Sequence, residues 1–244
     1  MNGGSLPIVD AFGYGWQNAM PALRATRTPV LIGLGGTVLL TIAQVWLFAA
    51  LPEPRFKVSP DDAAGFASAI AAIWVLQTAI RRANPAFRYT LGNFVASFAW
   101  TLLYVLITFA GLVLLIVPGV WLGTRLFFGP YVRLIEDGPH PANPFVRSLS
   151  LTEGAFWSTL VFVIALFVLG EVTDSIINGF VEILRRGGHD LGFGYQIVVE
   201  ALIVAPIAFL LLIFLEAVWS LATVYFYLAL CAREGDRLRA SAGG

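Results

Sequence analysis

About six apolar runs occupy most of this chain, at residues 30–51, 64–80, 92–117, 120–135, 155–172 and 206–231, and charged residues are scarce inside them. A helix rises 1.5 Å per residue, so runs of roughly this length match the ~30 Å of hydrocarbon in a bilayer. Hydrocarbon offers no partner to a backbone N–H or C=O, and a run that crosses it folds as a helix. The composition agrees: 58% of the 244 residues are hydrophobic, 12% are charged and the mean hydropathy is +0.81. Soluble domains carry about a quarter charged residues. What polar sequence remains is too short for a separate water-soluble domain. The expected fold is therefore all-α, a polytopic integral membrane helical bundle of about six transmembrane helices with amphipathic interfacial helices, forming one membrane domain over residues 1–244.

Local signals refine the threading. The run at 64–80 is opened by Asp61 and Asp62 and closed by Arg81 and Arg82, acids and bases at the ends where a helix dipole favours them. Pro118-Gly119 interrupts the apolar sequence between 92 and 135. One helix over that stretch would be roughly 65 Å long, about twice the hydrocarbon thickness, so a helical hairpin breaking at Pro118 and Gly119 is expected. Thr152-Glu153-Gly154 precedes the fifth run as a helix-start signal. Pro206 lies inside the long apolar region 195–231, placing the sixth span at 206–231 and leaving 195–205 as a half-buried approach. Met1 to Asp10 hold no basic stretch leading into an apolar one, so no cleaved signal peptide is expected.

Arginine placement sets the expected orientation. With six passes, Arg24, Arg27, Arg81, Arg82, Arg88, Arg133, Arg147, Arg233, Arg237 and Arg239 fall on one side, and Arg55, Lys57, Arg185 and Arg186 on the other. The positive-inside rule then puts both termini in the cytoplasm of a bacterial inner membrane. Segment 1–29 reads as a cytoplasmic interfacial segment. Within it Phe12, Trp16, Ala19, Met20 and Leu23 recur at helical spacing beside Arg24 and Arg27. Segment 173–205 reads as its outer-face counterpart, with Ile176, Ile177, Phe180, Ile183 and Leu184 on one face and Asp174, Glu182, Arg185 and Arg186 off it. Residues 232–244 read as a cytoplasmic tail.

Charges within a membrane are costly and are the first candidates for function. Arg125 in the fourth run and Glu216 in the sixth are expected to form an intramembrane ion pair, either a fixed brace between helices or a proton or substrate relay. Glu171 and Glu200 sit near outer span ends and read as solvated carboxylates. His140 and His189 lie in loops without the partners of a metal site. Cys231 alone makes neither a disulfide nor a cysteine cage, and reads as an apolar filler. No nucleophile elbow, P-loop or dinucleotide fingerprint occurs, so no catalytic residue, cofactor or metal is assigned. Gly33, Gly35 and Gly36 are expected to admit a neighbouring helix, and the tryptophans to form interfacial belts. Basic and acidic residues balance at 15 each, which gives no reason to expect a nucleic-acid partner.

Several segments share a pattern. Leu115-Ile116-Val117-Pro118-Gly119-Val120-Trp121-Leu122 is followed by Arg125-Leu126, Pro130 and Ile135-Glu136-Asp137-Gly138, then by Arg147-Ser148-Leu149-Ser150-Leu151-Thr152-Glu153-Gly154 and Phe156-Trp157. This resembles the membrane domain attached to bacterial glycerophosphoryl diester phosphodiesterases and its stand-alone relatives, chiefly over residues 92–170, with Gly15-Trp16 and Tyr225-Phe226-Tyr227 in similar places. Glu153 departs from the pattern, since many relatives have a basic residue there. The resemblance implies a six-span inner-membrane protein. Phosphodiesterase activity is not carried over, because a catalytic barrel needs about 250 residues of its own. Arg147 is expected on a short cytoplasmic helix opened by Asn143-Pro144, serving as an anchor or as a contact for lipid head groups.

Two functional expectations follow. The first is a non-enzymatic scaffold or accessory subunit whose partners are membrane lipids, a membrane protein or a second copy. The alternative is a transporter or lipid-handling protein using Arg125 and Glu216 as a polar site near the midplane, with Pro118-Gly119 and Pro206 as helix discontinuities. An intramembrane enzyme ranks behind both, for want of a nucleophile and base.

Overall fold

A computed structural model describes residues 8–50, 73, 75–81, 90–136, 143–188 and 197–242. Among the described residues every regular element is helical. The elements are α1 (Ile8–Ala25), α2 (Arg27–Ala50), α3 (Leu91–Leu114), α4 (Ile116–Leu126), α5 (Gly129–Ile135), α6 (Pro144–Leu151), α7 (Phe156–Gly188), a π-helical turn at Ile197–Val204 and α8 (Ala205–Ala242), with a further helical piece at residues 75–81.

Two described helices are long and apolar enough to cross a membrane, Phe156–Phe180 and Leu202–Asp236, and a third span results if the bent pair Ile8–Ala25 and Arg27–Ala43 counts as one. That is fewer than the six expected, and the departures have local causes. The run at 30–51 is not a free-standing helix but the second limb of a pair bent by 83°. Pro29, in the first turn of α2, has no N–H and its ring excludes the carbonyl four residues back, so the ladder breaks beside Thr26. The run at 64–80 lies mostly outside the described residues. The third run is α3, Leu91–Leu114, which ends at Leu115 ahead of the expected 117. The fourth breaks at Phe127 and Phe128, because Pro130 cannot donate to Leu126 and a new helix starts at Gly129.

The fifth and sixth runs are longer than expected. Nothing between 172 and 188 stops a helix, so α7 continues for 33 residues and absorbs much of the segment read as an outer-face interfacial piece. Among the described residues of its expected apolar face Ile177 is buried, and Ile176, Phe180 and Ile183 are exposed. In the half-buried approach expected at 195–205, Val199 and Val204 are buried and Leu202 and Ile203 exposed. From Ile197 it is a π-helical turn that leads into α8, with Pro206 in the first turn of α8, where a missing N–H costs least. The expected tail at 232–244 is helical as far as Ala242.

The chain divides into two compact units, one of Met1–Gly15, Ala79–Phe167 and Leu221–Gly244, the other of Trp16–Thr78 and Val168–Ser220. The second unit packs as apolar side chains on apolar side chains. Val75, Ile177, Val204, Phe209, Ile213 and Val218 form its centre with Ala19, Ala208 and Ala217, and Leu23, Val30 and Leu34 pack against them. Helix α2 lies against the π-helical turn. Its buried threonines turn inward on their own helix: Thr37 donates to Gly33 O at 2.9 Å and Thr41 to Thr37 O at 2.9 Å. This satisfies each hydroxyl without a partner helix.

Small residues decide which face of α1 is covered. Ala11, Gly15, Ala19 and Ala22 recur at helical spacing and are buried, while Trp16 and Met20 are exposed. Of the expected apolar face, Ala19 is buried, Phe12 and Leu23 are half-buried, and Trp16 and Met20 are exposed. Glycine tells a similar story. An added Cβ at Gly35 or Gly36 would meet nothing within 4 Å, so these two are not the close-approach positions they were expected to be. Close approach occurs in the first unit instead.

Candidate functional site around helix α6

The first unit is built from a helical hairpin and a short helix clamped beneath it. Helices α3 and α4 pack along their length, so the chain does double back. It does so at Leu115, whose backbone is extended (φ −157°, ψ 129°), three residues ahead of the expected break. Pro118 sits in the first turn of α4, where its ring is tolerated. Gly119 is where the two backbones meet: a Cβ there would overlap the backbone of Leu112, and one at Gly111 would lie 2.9 Å from Gly119 Cα. Farther along, a Cβ on Gly123 would lie 2.9 Å from Thr108 Cγ2, and the Tyr104 hydroxyl donates to Gly123 O at 3.2 Å.

Helix α6 forms where Asn143-Pro144 predicts a start. The Asn143 side chain accepts from Phe145 N–H at 3.0 Å and Pro144 opens the first turn. Phe145 then fills the space over Gly129, which has no room for a Cβ, and meets the Trp100 ring edge-on at 5.0 Å between centroids. At the other end Gly154 takes the left-handed conformation (φ 70°) and turns the chain into α7. Thr152-Glu153-Gly154 is thus the stop of α6 as much as the start of α7.

Arginines secure this turn. Arg125 Nη1 donates to Thr152 O at 3.2 Å and Arg233 Nη2 to Gly154 O at 2.9 Å, placing two cations beside carbonyls at a helix C-terminus. In return Ser148 Oγ donates to Arg125 O at 2.7 Å, satisfying a carbonyl at the end of α4. The Arg125 guanidinium also lies 5.5 Å from the centroid of the Trp121 ring, a cation–π distance, while its buried Nε finds no hydrogen-bond partner.

Arg147 joins two further helices. Its Nε lies 3.0 Å from Glu136 Oε1 and its Nη1 2.5 Å from Glu234 Oε2. Tyr227 donates its hydroxyl to Glu136 Oε1 at 2.6 Å. The three helices α5, α6 and α8 are thereby tied through one guanidinium, two carboxylates and a phenol. Partial burial works against the Arg147 charge, but the hydrogen bonds and charges of Glu136 and Glu234 outweigh it and raise its pKa above an already high value. Arg147 stays protonated at any physiological pH.

Beneath the charges lies an aromatic stack. Phe162 and Phe226 are 4.3 Å apart and nearly parallel, Phe128 packs on Phe226 and on Tyr227, and Phe12 reaches Phe162 at 5.5 Å. Phe128, Phe162 and Phe226 are fully buried. Ring packing thus joins helices from distant parts of the sequence beside the clamp.

Of the residues singled out from sequence, Arg125, Arg147, Pro118 and Gly119 all belong to this unit, around the hairpin and α6. Glu216 falls in the other unit, within α8, so neither unit contains the expected Arg125 and Glu216 pair. Arg125 has Thr152 O and the Trp121 ring as its partners. His140, His189 and the Glu200 side chain lie outside the described residues. Among the described residues no group of three His, Cys, Asp or Glu side chains could hold a metal. Sequence reading missed Glu136, Glu234, Tyr227 and Arg233. Their signal was present as opposite charges at the ends of apolar runs on one expected face, but pairing them needs the packing. No family model, curated protein or solved structure matches this chain.

Proposed function

We propose that the protein is a non-enzymatic, multi-pass integral membrane protein of the bacterial inner membrane, with both termini cytoplasmic, acting as a scaffold or accessory subunit that organises lipids, a partner membrane protein or a second copy. The observation that carries this reading is how the charges around α6 are used. Arg147, Glu136, Glu234 and Arg233 hold helices and helix ends together, the arrangement of a brace that presents a fixed interfacial platform. The resemblance to the membrane domain attached to glycerophosphoryl diester phosphodiesterases belongs to the same proposal. Purification in mild detergent, with crosslinking in intact membranes and mass measurement by light scattering, tests it. A defined oligomer or a stoichiometric complex is expected; a monomer that crosslinks to nothing overturns it.

The second reading, a transporter or lipid-handling protein, is favoured by one feature of the second unit, the π-helical turn at Ile197–Val204 that runs into Pro206 and then toward Glu216. Wide turns of this kind accompany functional sites in membrane helices. Glu216→Gln and Arg125→Ala separate the two readings. Retained folding with lost flux in reconstituted vesicles supports the carrier, and loss of stability alone supports the brace.

A further inference from the structure

We propose that the α3–α4 hairpin is a re-entrant wedge: it enters one leaflet from the side of helix α6 and turns back within the hydrocarbon, so that its tip contacts lipid acyl chains and never reaches the opposite face. The inference rests on the reading of the chain as an integral membrane protein. The tip is the first observation. Val113, Leu114, Leu115, Ile116 and Val117 are consecutive, and each is 65–80% exposed. A turn that emerges into water carries polar residues, whereas none occurs from Gly111 to Gly123.

Charge and length give the second observation. No charged residue lies between Gly92 and Thr124, and the first to follow is Arg125, at the base of the hairpin. Along α4, the 11-residue limb of the hairpin, the tip stands about 15 Å above Arg125, roughly half the hydrocarbon thickness of a bilayer, and the 24-residue limb α3 continues past that level. Around that base are Trp121, Trp100 and the charges of Arg147, Glu136 and Glu234, residues that suit the head-group level. With the base there, the tip ends near the midplane. A re-entrant hairpin removes two of the six expected passes and leaves both chain ends on one face, so it is compatible with the same distribution of arginines.

The test uses the full chain with Cys231→Ser, carrying Leu115→Cys, Val117→Cys or, as an interfacial control on α6, Val146→Cys. Right-side-out and inverted membrane vesicles are treated with a membrane-impermeant maleimide. Leu115→Cys and Val117→Cys are expected to react from either side at least about tenfold more slowly than after detergent solubilisation, while Val146→Cys reacts from one side only. With an environment-sensitive fluorophore attached at 115 and the protein in phosphatidylcholine and phosphatidylglycerol vesicles, quenching should be strongest from nitroxides deep on the acyl chain. Ready reaction of position 115 or 117 from the side opposite Val146→Cys means a full crossing and overturns the wedge. Reaction from the same side means the hairpin lies outside the bilayer and overturns it too. Should one tip variant fail to fold, judged by gel filtration, the other reports the same depth. Release of the unaltered protein by an alkaline wash would overturn the membrane reading itself, a failure distinct from a misplaced tip.

Discussion

The two units of this protein are held by different kinds of contact. Around α6, side chains from α4, α5, α6 and α8 meet through arginines, carboxylates, a phenol and backbone carbonyls, over a stack of buried rings. In the second unit the centre is Phe209, Ile213, Val204, Val218 and small alanines, with threonines bonded back onto their own helices. The difference follows from what each packing has to specify. Apolar faces packed on apolar faces gain dispersion contacts from any close fit. A guanidinium bonded to two carboxylates is satisfied in few geometries. The first unit is fixed by partner identity around α6 and by close backbone approach in its hairpin, and the second by apolar side-chain packing.

The hairpin is the place where shape is strictest. At Gly119 the neighbouring atoms are backbone atoms of Leu112, which cannot swing aside. Gly119→Val is expected to destabilise by more than about 4 kcal/mol, enough to lose the folded hairpin. Gly35→Ala in the second unit meets nothing within 4 Å and should change stability by less than about 1 kcal/mol, toward stabilisation. Apparent unfolding free energies in mixed detergent micelles measure both. Equal effects at the two glycines would remove the contrast.

Phe209→Ala comes next, at about 3–5 kcal/mol, because the ring is fully buried in the second unit and its removal leaves a cavity. If the units are cooperative bodies, hydrogen exchange should accelerate first in residues 16–50 and 168–220 and later in α4–α6. Uniform acceleration throughout would mean that one body, not two, unfolds.

Arg147 tests the other half of the comparison. A double-mutant cycle of Arg147→Ala with Glu136→Ala is expected to give a coupling of about 1–2 kcal/mol, above an ordinary surface pair because the guanidinium serves two carboxylates, and below a buried one because all three groups are partly exposed. Arg147→Lys should recover only part of it, having lost the planar fork. The sign with pH is set by a raised folded-state pKa. Its contribution is complete below the ordinary guanidinium value and fades only as pH climbs through the folded value, so going from pH 7 to pH 9 should not release the arginine. Added salt should reduce the coupling, and a coupling unmoved by salt would place the pair deeper than the structure has it.

These contrasts also mark what could be read from sequence. The helical class follows from apolar runs, and the fifth and sixth runs recur inside Phe156–Phe180 and Leu202–Asp236, since length and hydropathy are local properties. Asn143-Pro144 likewise predicts α6, because a cap and its helix are neighbours in sequence. The hairpin was legible from length, but its tip was not, since Leu115 gives no local signal and Pro118 fits inside a first helical turn. The clamp was hidden for another reason. Arg147 and Glu234 are 87 residues apart, and Tyr227 and Glu136 are 91, so each pair exists only after α5, α6 and α8 have packed. The small-residue face of α1 was not legible, because hydropathy draws attention to Trp16 and Met20 over alanine, while close helix packing selects the alanines.

Tyr227 joins both modes of contact in one side chain. Its ring packs on Phe128 and its hydroxyl donates to Glu136 at 2.6 Å. Tyr227→Phe keeps the ring and removes the donor, so the cost should be about 1–2 kcal/mol, that of one hydrogen bond to a charged acceptor. Tyr227→Ala removes both and should cost several times more. Glu136 keeps Arg147 in the phenylalanine variant, so the clamp is weakened and not broken. Combining Tyr227→Phe with Arg147→Ala should then cost more than the sum of the two, because Glu136 loses its last protein donor only when both are gone. Strict additivity would show that the phenol and the guanidinium act on Glu136 independently, and that partner identity matters less to this unit than ring packing.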